Sequence, residues 1–135
     1  MLYGDEHVQR YLETDGEEGY WWRRDTTILI LFTKGRKSGQ VRRHALIFRE
    51  DDGRYVVVAS KGGAATHPSW YLNLQAEPQV EVQVRGDRFG ARARDASGDE
   101  RKRLWAKMTQ VWPQYDSYQK RTKREIPVVV LERTA

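Results

Sequence analysis

The chain has 135 residues, 39% of them hydrophobic and 32% charged, with a net charge of +5 and no cysteine. That is one domain's worth of chain, able to bury roughly two thirds of its unfolded surface. The missing cysteines exclude a disulfide framework, a thiolate metal centre and a cysteine nucleophile. The mean hydropathy of -0.83 is polar, yet the apolar residues come in blocks, which sets the chain apart from disordered sequences. The longest apolar run, residues 28–32, is too short to cross a membrane. No basic stretch followed by an apolar one opens the chain, so no secretory signal is read and a cytoplasmic protein is expected. Three scattered histidines argue for no dedicated metal site.

In chain order, residues 5–14 predict a short helix, because Val8, Tyr11 and Leu12 share a face at i, i+3 and i+4. Two glycines in Asp15-Gly16-Glu17-Glu18-Gly19 end it, and the pair Trp21-Trp22 follows. Residues 26–33 are β-branched and continuously apolar, a strand buried on both faces. The turn Gly35-Arg36-Lys37-Ser38-Gly39 leads into a second strand over 42–50. The turn Asp51-Asp52-Gly53-Arg54 is a hairpin signal before a third strand over 55–60. After Lys61-Gly62-Gly63-Ala64-Ala65 a helix starts near Pro68 and stops before Pro78. Val80, Val82 and Val84 alternate with polar residues in a half-exposed strand, and residues 89–96 form a fifth. Ser97-Gly98-Asp99-Glu100 has the form of a capping box. It opens a helix with Leu104, Trp105, Met108, Val111 and Trp112 on one side, interrupted at Pro113. Residues 115–121 extend it by a turn or two, and 126–131 form a last buried strand. Six strands with few helices are too strand-dense for a doubly wound fold. The expected architecture is mainly β with peripheral helices (α+β): a six-stranded, mostly antiparallel barrel. It makes a single domain over 1–135, with 1–24 as an N-terminal helical arm.

Charge is unevenly spread. Residues 1–25 hold seven acids and three bases, whereas residues 26–49 hold six bases and no acid. Arginine outnumbers lysine by 17 to 7, which suits planar recognition of carboxylate or phosphate. The basic turn, with Arg36, Lys37, Ser38 and Arg42, reads as an anion-binding loop; it can equally be a basic hairpin turn that protects a sheet edge. Its spacing is not that of a Walker A loop. The loop Ser60-Lys61-Gly62-Gly63 before a helix start can meet the same anion, or serve only as a strand-to-helix turn. Trp70 and Leu74 pack a helix onto the barrel, with Asn73 offering an amide to a pocket. Trp112, Tyr115 and Tyr118 recur every three residues and are expected in a surface lid that borders a flat ligand. His44 and His67 read as structural residues.

Four segments together resemble the deazaflavin-dependent nitroreductase family: Thr33-Lys34-Gly35-Arg36-Lys37-Ser38-Gly39-Gln40, Ala59-Ser60-Lys61-Gly62-Gly63-Ala64, Pro68-Ser69-Trp70-Tyr71-Leu72-Asn73-Leu74, and Arg121-Thr122 to Ile126-Pro127-Val128. The resemblance runs from about residue 20 to 132. It implies a split β-barrel of the FMN-binding type and coenzyme F-420, an 8-hydroxy-5-deazaflavin with a polyanionic tail. Carried over by position, Arg36, Lys37, Ser38 and Arg42 would meet the phosphate and tail. Ser60, Lys61 and the amides of Gly62 and Gly63 would continue that cradle. Trp70 and Asn73 would support the deazaflavin pocket. Trp112, Tyr115 and Tyr118 would border the substrate, with Tyr115 or Tyr118 as catalytic proton donor. The family tends to carry Tyr where Trp112 stands, Thr at Lys34 and Pro at Val41. The implied activity is hydride transfer from the reduced cofactor to a flat electrophile: an enone, a quinone or a nitroaromatic. No metal is implied. A homodimer is expected, with at most peripheral membrane contact.

Three other readings stand beside it. The same barrel can bind flavin mononucleotide (FMN) or heme. A catalytically silent cofactor carrier would bind without turnover. Trp21-Trp22-Arg23-Arg24 and the basic strand 42–49 are compatible with a nucleic-acid-binding module, although no stacking platform is evident.

Overall fold

In the computed structural model, residues 2–134 are described. Helix α1 (Gly4–Glu13) precedes β1 (Thr27–Lys34), β2 (Val41–Asp51) and β3 (Arg54–Val58); α2 (Ser69–Ala76) then leads to β4 (Gln79–Val84) and β5 (Asp87–Asp95). Helices α3 (Gly98–Val111) and α4 (Gln114–Arg121) come before β6 (Val128–Arg133). The strands close in the order β1-β2-β3-β6-β5-β4, every pair antiparallel. Among the described residues no helix is long and apolar enough to cross a membrane, and no group of three His, Asp or Glu side chains could hold a metal.

Alternation along the strands explains why they read as continuous apolar runs. Leu29, Leu31, Val57, Val80, Val82, Val129 and Leu131 fill the barrel together with Phe89 and Ala91. The intervening residues face outward and are also covered. Ile28, Ile30 and Phe32 lie under Val8 and Tyr11 of α1. Val56, Val58, Val128 and Val130 lie under Leu104 and Met108 of α3. Trp70, Tyr71 and Leu74 of α2 join the barrel's interior cluster. The β2–β3 hairpin turns through Asp52 (φ 53°) and Gly53 (φ 77°), the left-handed pair that matches strand twist.

Boundaries moved by one or two residues. The last strand starts at Val128 rather than 126, because Pro127 has no N–H to give a ladder; its carbonyl instead accepts Ala59 N–H at 2.9 Å. The capping box does not form. Ser97 is the N-cap but its side chain caps nothing, and the Glu100 carboxylate is taken by Arg94 at 2.7 and 2.9 Å. That pair belongs to an ion cluster in which Asp51 also receives Arg103 at 2.7 and 3.0 Å and Lys107 at 3.2 Å, tying α3 to the barrel.

Candidate functional site

Between α1 and α4 the outer face of β1–β3 is left uncovered, and a cavity of about 440 Å³ opens there. Its floor is Ile28, Ala45, Ile47 and Val58; its walls include Trp22, Trp70, Trp112, Tyr115 and Tyr118, with Ser60, Lys61 and Gly62 at one side. Trp22 stacks on Trp112 with ring centroids 5.6 Å apart and planes at 28°. Trp22 Nε1 donates to the Leu2 carbonyl at 3.0 Å, so the arm ahead of the barrel forms part of the cavity. The sequence did not announce Tyr3, His7 or Trp22 as wall residues, since nothing in the pattern pairs Trp22 with a ring 90 positions away. Its neighbour Trp21 is 60% exposed.

A second, polar cavity of about 360 Å³ is lined by Gly35, Arg36, Lys37, Ser38, Arg42, Ser69 and Asn73. The first turn of α2 separates the two: Pro68 and Trp70 face the apolar cavity and Ser69 the basic one. The basic turn is closed by Gly35 N–H on Gln40 O at 2.7 Å and Gly39 N–H on Gly35 O at 2.8 Å. Ser38 Oγ accepts Gln40 N–H at 3.1 Å. Three cations therefore face one polar space with few acids nearby, and carboxylate or phosphate is the chemistry that fits it.

Several expected roles change. Asn73 lines the basic cavity, not the apolar one. It is buried, and its Oδ1 accepts from Arg36 N at 3.2 Å and from the Arg36 guanidinium at 2.9 Å. Its Nδ2 donates to Thr33 Oγ1 at 3.1 Å, which lies 3.3 Å from His44 Nε2. Asn73 thus braces the basic turn. Burial, aided by Arg42 and opposed by Asp5, lowers the His44 pKa to about 4, so a neutral Nε2 can accept the Thr33 proton. Lys61 and the residue 36–42 cluster do not share a cavity. Lys61 Nζ reaches Thr66 Oγ1 at 3.3 Å beside the apolar one. Gly63 offers no free amide, since its N–H donates to Ser60 O at 2.9 Å, and a Cβ there would meet Tyr118 O at 2.7 Å.

Residues 112–118 are a core corner rather than a surface lid. Trp112 and Tyr115 are buried among Val58, Met108 and Ile126. Burial pushes the Tyr115 hydroxyl well above its ordinary pKa of 10, which makes it a poor acid and a wall. Tyr118 is half-buried and lines the apolar cavity. Trp112 Nε1 donates to its oxygen at 3.4 Å. The tryptophan pair expected of a nucleic-acid module is split between cavity wall and surface, and Arg24 lies over the Trp112 ring at 5.7 Å.

Comparison with known proteins agrees with this geometry. Residues 4–133 match the profile of the F420H(2)-dependent quinone reductase family. An F420H(2)-dependent quinone reductase of Mycobacterium tuberculosis is 39% identical over 130 residues, 94% of this chain and 87% of that protein. A solved structure described as an F420-H2 dependent reductase is 42% identical with a TM-score of 0.72, covering 78% of this chain and 93% of that one. Another, described as a domain-swapped dimer, is 40% identical with a TM-score of 0.75, covering 94% and 95%.

Proposed function

The chain belongs to the F420H(2)-dependent quinone reductase family, and from that premise we propose that its two cavities divide one cofactor between them and that a quinone enters the apolar one. It is a coenzyme F-420-dependent oxidoreductase with the split-barrel fold. The observation that carries the residue assignment is the pairing itself. An aromatic-walled apolar cavity and a cavity lined by Arg36, Lys37 and Arg42 are separated by one helical turn. A flat ring with a polyanionic tail matches that donor set; a small neutral cofactor would leave the cations unused.

Reduced F-420, when bound, would supply a hydride, and the quinone needs one proton besides to leave as the neutral hydroquinone. This chain's residues do the rest. Arg36, Lys37, Ser38 and Arg42 hold the tail, with Asn73 keeping Arg36 in place. Ser60, Lys61 and Gly62 form the ring's polar edge. Trp22, Trp70, Trp112 and Tyr115 exclude water, which strengthens every polar contact inside. Tyr118 holds the proton at its Oη. The Trp112 N–H already occupies one lone pair, so the Tyr118 O–H is free to point at the acceptor oxygen. We further take the protein to be a homodimer, a reading supported by the domain-swapped relative and by the exposed Trp21 and Val41. Light scattering on a sizing column checks it, and a monomer at micromolar concentration refutes it.

The test is a tryptophan-quenching titration with oxidised F-420 and with FMN in parallel, since three of the five tryptophans line the cavity. Oxidation of reduced F-420 by a soluble naphthoquinone is then followed. Tight deazaflavin binding with quinone-dependent turnover is expected. A preference for FMN would overturn the reading.

A further inference from the structure

The loop proposed as the cofactor's polar edge has an unusual backbone. Lys61 (φ 46°), Gly62 (63°) and Gly63 (82°) are consecutive left-handed residues. Glycine takes that conformation freely; a residue with a Cβ such as Lys61 does so against a steric penalty. Such a conformation persists only where the surroundings over-determine it.

Arg124, in the segment between α4 and β6, is the group that holds it. Its Nε donates to Ala64 O at 2.8 Å, one terminal nitrogen donates to Ser60 O at 2.7 Å, and the other donates to Ala59 O at 3.2 Å. That last nitrogen also lies 3.0 Å from His67 Nδ1, and burial, with Arg124 next, holds the His67 pKa below its ordinary value. One planar fork thus grips carbonyls before and after the left-handed turn, a set that the single nitrogen of a lysine cannot span. The backbone of Arg124 is itself fixed by the residue after Tyr118. Gln119 Nε2 donates to Arg124 O at 2.8 Å, and its Oε1 accepts Ile126 N–H at 2.9 Å. From the other side, Gly63 sits so close to α4 that a Cβ would lie 2.9 Å from Tyr118 Cα.

We propose that Arg124 is a positioning residue for the reductase. It locks the wall of residues 60–62 in register with Tyr118, so that the cofactor side and the proton-donating side of the cavity are set by one guanidinium that touches neither ligand. The inference rests on the F-420 reading above and goes beyond it, because Arg124 lines neither cavity.

The experiment compares wild type, Arg124→Gln, Arg124→Lys and Arg94→Gln. Arg94 makes two strong ion pairs on the far side of the barrel and serves as a stability control. Three quantities are measured: Tm, the F-420 dissociation constant, and amide exchange across residues 60–64 in the protein without cofactor. Arg124→Gln is expected to raise the dissociation constant about tenfold or more, in line with the penalty for misplaced binding groups. It is also expected to accelerate exchange in the loop. Arg124→Lys should not rescue either, and Arg94→Gln should lower Tm while leaving both unchanged. Wild-type affinity in Arg124→Gln overturns the proposal, as does a loss of affinity that tracks Tm equally in the Arg94 variant. Should Arg124→Gln fail to fold, Gln119→Ala, which frees the Arg124 backbone but keeps its side chain, carries the same comparison. If wild type itself binds no F-420, the functional reading falls, and loop exchange alone still decides whether Arg124 holds the wall.

Discussion

At the scale of single residues, Tyr118 and Trp112 form the smallest unit with a chemical consequence. Replacing Tyr118 by Phe removes the proton while leaving the ring in the wall. Turnover with a quinone should fall by about a hundredfold, the usual worth of a positioned proton donor. The F-420 dissociation constant should change little, and steady-state kinetics beside a quenching titration separates the two. His44 makes a different prediction. Its pKa falls from 6.5 to about 4 on folding, so the unfolded chain binds the proton more readily than the native one. The stabilisation is therefore complete above pH 6.5 and is lost progressively as pH falls toward 4. Thermal melts of wild type should show a steeper acid decline than melts of His44→Gln; parallel profiles would remove His44 from the account. The basic turn of residues 35–42 was legible because charge, glycine and turn chemistry coincide within a few positions. Arg124 was not, because its partners are carbonyls some 60 positions away and backbone carbonyls carry no sequence signature.

At the scale of elements, α1 shows how a short helix is attached to a barrel. Isolated helices of ten residues are marginal in water, so its packing must hold it. Val8 and Tyr11 are buried on Ile28, Ile30 and Phe32. The Tyr11 hydroxyl, 0% exposed, accepts Arg85 N–H at 2.7 Å and donates to Ile28 O at 3.0 Å. Tyr11→Phe removes the partner of the buried Ile28 carbonyl and of the part-buried Arg85 N–H and should destabilise the protein by about 1–3 kcal/mol, read as a shift in the urea midpoint. The shift should accompany a more open cavity, since Gly4 and His7 of this helix and its N-cap Tyr3 line it. All six strands and the helices were legible from periodicity and breakers. The role of α1 as a wall was not, because an amphipathic stripe reveals that a face is buried but not what borders its edge. The missed capping box has a similar cause, since a tertiary partner, Arg94, outbid the local one for Glu100.

At the scale of the whole molecule, positive charge is concentrated around the polar cavity lined by Arg36, Lys37 and Arg42, with six cations in residues 26–49. Association with a polyanionic cofactor should therefore be salt-sensitive, because the Debye length shrinks from about 10 Å at 0.1 M to about 3 Å at 1 M. The F-420 dissociation constant should rise across that range. Lys37→Ala should weaken binding at low salt by about tenfold, the worth of one charge-assisted bond, and flatten the dependence. A salt-independent affinity would move the tail elsewhere. The sequence by itself determined the strand count, the antiparallel barrel, the basic loop and the resemblance that names the cofactor. These depend on local alternation, turn residues and contiguous motifs. Only the tertiary structure decided that Lys61 and Arg36 face different cavities, that Tyr115 is buried and Tyr118 half-buried, that Trp22 closes on Trp112, and that Arg124 bonds the carbonyls of residues 59, 60 and 64. Each of those is a meeting of side chains or carbonyls from distant segments. Barrel closure brings them together, and pattern along the chain records only that a residue is buried, not which neighbour buries it.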